Sequence, residues 1–208
     1  MGKLGYIFGS EEKVKIIRLF IMNGVTQFEE ADIVSKLGVA LKDIRREMIT
    51  LLKAGFLDET KVLKEIKVKK GKKILIKKIK VPVYALNTDF DFLPNLRRFI
   101  EDVNPITGDE IVKRLQVTGK IKFVALSGMF IKNEQSRIDL LIVGDTLKVP
   151  AIEKVIRFIE SEMGREVRYA AMETQEFQYR VGMHDKLMRD ILDFPYEAIV
   201  DKLGISRS

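Results

Sequence analysis

Residues 61–80, "KVLKEIKVKKGKKILIKKIK", restrict the fold more than any other stretch of this chain. Lysine occupies positions 61, 64, 67, 69, 70, 72, 73, 77, 78 and 80, against one acid, Glu65. Valine, isoleucine and leucine are interleaved with these charges, which suits a pleated surface better than a helix buried along one stripe. "KKGKK" around Gly71 divides the run, so it reads as a β-hairpin with its turn at Lys70–Lys72. Pro82 fits an edge strand or a strand end. The local excess is nine positive charges in a chain of net charge +7, which leaves the other residues net negative by two. Ten lysines in twenty residues repel one another in the free protein, and solubility needs far fewer. The concentration predicts a polyanionic partner.

The remaining 188 positions are long enough, with this hairpin, for two small domains in a chain of 208 residues. There is no cysteine, which excludes disulfides and thiolate zinc sites. No segment approaches the roughly 18 consecutive apolar residues of a membrane span. The first residues, "MGKLGYIFGSEEKVKII", have no apolar core of signal-peptide length before their charges begin. The expected location is the cytoplasm, with no membrane partner.

Ahead of the hairpin, apolar residues recur at helical spacing in three segments. In "EEKVKIIRLFIM", Val14, Ile17, Leu19, Phe20 and Met22 fall largely along one side. "FEEADIVSKLG" carries Ile33, Val34 and Leu37, with Gly38 as its stop. "VALKDIRREMITLLKAGFLDE" carries Leu41, Ile44, Met48, Leu51 and Leu52, leaving Lys42, Arg45, Arg46 and Lys53 mostly off the stripe. Three short helices and a basic hairpin, carried by "ADIVSKLGVALKDIRREMITLLKAGFL" and the lysine run, resemble a winged helix-turn-helix domain over about residues 10–87. The resemblance implies double-stranded DNA as partner, with the third helix, about residues 41–53, in the major groove and the hairpin along the backbone. Its reading face would be Lys42, Arg45, Arg46 and Thr50. Lys67, Lys69, Lys70, Lys72, Lys73 and Lys77 of the hairpin would contact phosphates. Lysine acts there as a mobile point charge, whereas an arginine fork suits a guanine edge, so Arg45 and Arg46 are the candidates for base contact.

Residues 89–107 read as a connecting helix and turn, "DFDFLPNLRRFIED" followed by "NPITG". They could belong to the second domain or pack between two chains, which makes a homodimer an open expectation. Beyond them lie an amphipathic helix ending at Gly119, a strand at 121–126, a Ser-Gly turn, a strand at 137–143, a helix at about 150–162, a strand at 166–172, and a long helical region from Gln175.

This order, with "LSG…RIDLLIVGD", resembles the minimal, polymerase-beta-like nucleotidyltransferase fold over about residues 108–208. Active members hold nucleotide phosphates on a Gly-Ser turn. An Asp-x-Asp pair and a third carboxylate hold two divalent metals, because alternate strand residues share a face. Asp139 matches the second aspartate, but Arg137 stands at the first, and a guanidinium cannot ligate a metal. The turn is reversed, as Ser127-Gly128, and the third strand offers only Glu166 and Glu173 at its ends. The metal site reads as dismantled, with Asp139 its vestige. Ser127, Gly128 and Arg137 remain candidates for holding a phosphate; alternatively Arg137 pairs with Asp139 or Glu134 and does nothing else.

The expected fold class is therefore α+β: a winged helix-turn-helix domain at 1–88, the connection at 89–107, and a mixed α/β nucleotidyltransferase-like domain at 108–208. The expected function is a DNA-binding transcriptional regulator whose second domain serves assembly or ligand sensing, with no catalytic residue and no cofactor. Competing classes are a divergent nucleotidyltransferase using magnesium or manganese on Asp139 and Glu173, and a protein-interaction module such as a toxin-neutralising partner. His184, the only histidine, reads as structural. Glu176, Tyr179, Arg180, Asp185 and Arg189 read as a salt-bridged surface, and Tyr169, Phe177 and Phe194 as core or interface aromatics.

Overall fold

A computed structural model describes residues 3–70, 73–133, 135–183 and 185–205, without the side chains of 68–70, 73–75 and 187. Lys72, Glu134 and His184, and the side chains of Lys69, Lys70 and Lys73, thus lie outside the described residues. The chain forms two compact units, Met1–Val103 and Asn104–Ser208.

The first unit begins with α1 (Lys3–Phe8) and α2 (Glu11–Asn23). Ser10 caps α2, its hydroxyl accepting from the Lys13 amide at 3.1 Å, and Glu11 and Glu12 face the positive end of the helix dipole. Six successive residues of α2, Ile16 to Ile21, are buried, so the helix is enclosed by its neighbours rather than packed along one side. Arg18 within that run is tolerated because its guanidinium donates to the Ile100 and Val103 carbonyls, at 3.0 and 3.1 Å. α3 (Glu30–Leu37) opens where the Glu29 amide donates to Asp32 at 3.0 Å, and ends on left-handed Gly38. α4 (Leu41–Lys53) buries Ile44, Glu47, Met48 and Leu51, the spacing of one helical stripe.

Strands β1 (Leu57–Lys70) and β2 (Lys73–Leu86) pair antiparallel without a break, from Leu57 opposite Leu86 to Lys70 opposite Lys73. The hairpin expected from the lysine run is present, bracketing the expected turn. Its base is fixed: Leu57, Tyr84 and Leu86 join the helical core, and Phe28 and Tyr84 exchange backbone hydrogen bonds at 2.9 Å. Fourteen-residue strands exceed the usual 3–10, and the outer part of this two-stranded arm is exposed.

Helix α5 (Leu93–Asp102) corrects the reading of 89–107 as a connection. Leu93 and Ile100 are buried in the core of the first unit, and the Arg18 bonds tie the end of α5 to α2.

In the second unit, α6 (Gly108–Leu115) precedes β3 (Lys120–Leu126), β4 (Leu140–Asp145), α7 (Val149–Met163), β5 (Tyr169–Glu173), α8 (Thr174–Gly182), α9 (Lys186–Leu192) and β6 (Glu197–Asp201). The sheet order is β5-β4-β3-β6, with β4 and β5 parallel and the other pairs antiparallel. Leu140 and Ile142 pack with Ile152, Ile156 and Ile159 of α7 on one face; Leu141 and Val143 pack with Phe177, Met188 and Ile191 on the other. Covering both faces explains the unbroken apolar run of β4. The long helical region expected from Gln175 is instead two short helices and a fourth strand. Residues 137–139 precede β4 rather than extending it. The result is a mixed α/β architecture with two sheets, and among the described residues no helix is long and apolar enough to cross a membrane.

Candidate functional site

The outward face of α4 is a continuous stripe. Lys42, Arg45, Arg46, Ile49, Thr50 and Lys53 are exposed at the spacing left by the buried 44/47/48/51 set. Each predicted reading-face residue is therefore on the surface. Ile49, 54% exposed, lies one turn beyond Arg45 and was not singled out by the charge pattern. An exposed isoleucine amid cations is the type of side chain that packs on a thymine methyl.

The two arginines are not equivalent. Arg45 presents Nε and Nη2 to Glu30, with contacts of 3.0, 3.1 and 2.7 Å. Hydrogen bonding to Glu30, and then its charge, raises the Arg45 guanidinium above its ordinary value. Arg46 donates through Nε to Glu47 and through Nη1 to Asp43, each at 3.0 Å. Glu47 is buried, and Lys13 lies 3.4 Å from its other oxygen, so Arg46 helps neutralise a carboxylate in the helical core. This is a structural role that charge counting does not reveal.

Glu29 and Glu30 are consecutive, and they reach in two directions. Glu29 accepts from Lys64 of β1 at 2.6 Å, while Glu30 holds Arg45 of α4. The start of α3 thereby joins the basic arm to the outward face of α4, and the two border one surface. Opposite residues of an antiparallel pair share a face. Lys61, Lys67, Lys78 and Lys80 accordingly lie on one face of the arm, with Lys64 and Lys77 on the other. Lys78 pairs with Glu65 at 3.3 Å. Lys61, Lys67, Lys77 and Lys80 are exposed and have no acidic partner among the described residues.

The Ser-Gly turn of the second unit is also well defined. Asp139 is 1% exposed and accepts four hydrogen bonds. Oδ1 takes the Met129 amide at 2.9 Å and Arg168 Nη2 at 3.0 Å; Oδ2 takes the Arg168 amide at 3.0 Å and Arg168 Nε at 3.1 Å. Ser127 is buried, its hydroxyl donating to the Ile138 carbonyl at 2.6 Å and its amide to the Asp139 carbonyl at 2.9 Å. Gly128 has φ +52°, and a Cβ there would run into Asp139 Oδ1, so glycine is required by both conformation and space.

Comparisons with protein-family models, with curated proteins and with solved structures give no match.

The geometry bears on two members of the expected phosphate cradle, Ser127 and Arg137. The hydroxyl and amide of Ser127 and the amide of Met129 are already spent on protein acceptors. Arg137 Nε lies 3.0 Å from Asp190 of α9 rather than against Asp139; the anticipated contact with Glu134 lies outside the described residues. The cation on Asp139 is Arg168, 29 residues away, which no local pattern announces. Glu173, the other proposed metal ligand, accepts the Thr146 and Leu147 amides at 3.0 Å and fastens the loop before α7. Of the charged cluster, Glu176, Arg180 and Asp185 are brought together, at 2.8 and 3.9 Å from the Arg180 guanidinium. Phe177 is core, stacked on Phe123 at 5.9 Å between centroids, whereas Tyr169 is 37% exposed.

Arg137→Asp provides a direct check on this geometry. An Asp-x-Asp pair would exist in sequence, but Asp139 would still point at Arg168 and the Met129 amide. Manganese affinity measured by calorimetry is expected to stay at the level of the unaltered protein. The new carboxylate would also face Asp190, lowering thermal stability slightly.

Proposed function

We propose that this chain is a DNA-binding transcriptional regulator in which the β1–β2 arm and the exposed face of α4 engage one duplex. The reading rests on one observation above the others: Glu29 and Glu30 fasten Lys64 of the arm and Arg45 of α4 to the same helix start. A lysine-bearing arm bordering an exposed helix face with arginine, lysine and isoleucine suits phosphate contact beside base contact. The order of helices and hairpin agrees with the winged helix-turn-helix resemblance. In this reading the arm supplies affinity without sequence preference, and α4 supplies what preference there is.

The second unit, in the same proposal, is a nucleotidyltransferase-like module used for assembly or ligand sensing rather than nucleotide transfer. The pairing of buried Asp139 with Arg168 supports this, because a carboxylate already accepting four hydrogen bonds is poorly placed to receive a divalent ion. Footprinting on genomic fragments, run beside an assay for metal-dependent incorporation of labelled nucleotide, tests both statements. Protection of discrete duplex sites without incorporation is expected. Incorporation abolished by Asp139→Asn would replace the regulator with an enzyme.

A further inference from the structure

A guanidinium has two edges that can each offer a pair of parallel N–H donors. The side edge is Nε with Nη2; the end edge is Nη1 with the second hydrogen of Nη2. Glu30 occupies the side edge of Arg45 through both of its oxygens. Among the described residues no partner occupies Nη1, and the side chain is 58% exposed. The acid therefore fixes the plane of the fork and leaves its end edge outward. Arg46 is the built-in contrast: its contacts use Nε and Nη1, so neither of its edges is whole.

We propose that Arg45 reads a single guanine in the major groove through its end edge, and that Glu30 is the residue that positions it. This rests on the duplex-binding reading above. The O6 and N7 acceptors of guanine match two parallel N–H donors, and adenine offers a donor where O6 would be. A fork whose torsions are set before binding discriminates by geometry rather than by charge alone. Glu30 also carries a negative charge toward a polyanion, so its effect on general affinity is unfavourable. Positioning and repulsion therefore give Glu30 opposite effects on two measurable quantities, specific preference and random-duplex affinity.

The test uses the full chain. A preferred site is selected from a random duplex library, each of its guanines is changed in turn to adenine, and dissociation constants are measured for the unaltered protein, Arg45→Ala, Arg45→Lys and Glu30→Gln. The unaltered protein is expected to lose roughly fivefold or more at one guanine, the low end for a bidentate contact. Arg45→Lys, which keeps the charge but not the fork, should lose that preference while retaining affinity for random duplexes. Glu30→Gln should lose preference at the same guanine and bind random duplexes as well as before or better. Equal gains by Glu30→Gln on selected and random duplexes would mean that the acid only masks Arg45, and would overturn the inference. So would a preference that survives Arg45→Lys, or selection that enriches no sequence although duplexes are bound. Absence of binding to any duplex would instead remove the DNA-binding reading, and the inference with it. Unchanged thermal melting separates all of these from misfolding.

Discussion

Replacing Lys61, Lys67, Lys77 and Lys80 together with alanine is expected to weaken binding to every duplex alike. The slope of log affinity against log salt should become shallower by about 3.6, because each lost phosphate contact removes about 0.9. These four side chains are exposed and lack an acidic partner among the described residues, so their charge is available to an external polyanion. Lys64 and Lys78 form the control. They are engaged by Glu29 and Glu65, and their joint replacement should alter the slope less. The fourfold variant should melt no lower than the parent, since removing like charges from a solvated arm relieves repulsion. A fourfold variant with the parental salt slope would remove the arm from the interface.

Asp139→Ala is expected to destabilise the second unit by about 1–3 kcal/mol for each backbone donor it leaves without an acceptor, the amides of Met129 and Arg168. Its four accepted hydrogen bonds come from the Met129 amide and from the amide, Nε and Nη2 of Arg168. Without the carboxylate, the turn at Ser127-Gly128 loses the group that draws it toward the start of β4. Arg168→Met should cost as much or more, because it leaves a carboxylate that is 1% exposed without its cation and with only two backbone donors. Urea unfolding followed by a probe in the second unit would rank the two. If Asp139→Ala were harmless there, or if it abolished a metal-dependent activity, the structural role assigned to this carboxylate would be wrong.

What the sequence made legible followed local rules. Helix α4 was readable from the 3.6-residue spacing of Ile44, Met48 and Leu51, and the arm from β-branched residues divided at Gly71. The apolar run at 140–143 was readable as strand, and about 150–162 as the helix that is α7. The failures concern partners distant along the chain. Arg45 is held by a glutamate 15 residues earlier, and Asp139 by an arginine 29 residues later. A charge tally records both arginines as available. The second role of Arg46 was hidden for a related reason: Glu47 beside it looks like surface, yet it is buried and needs neutralising. α5 was assigned to a connection because its core contacts include bonds from Arg18, 82 and 85 residues away. β6 was absorbed into a helical region because strand pairing with β3 is decided across more than 70 residues. Ile49 alone could have been found from the sequence, since it falls one turn after Arg45 and off the buried stripe.

The most direct measurement is anisotropy of a fluorescent random-sequence duplex titrated with the full chain across about 50 to 200 mM salt. The account predicts a complex at the low end, with log affinity falling against log salt at a slope of about −3.6 or steeper, the share due to four hairpin lysines alone. No complex at the lowest salt, or a complex whose affinity does not change with salt, would contradict it.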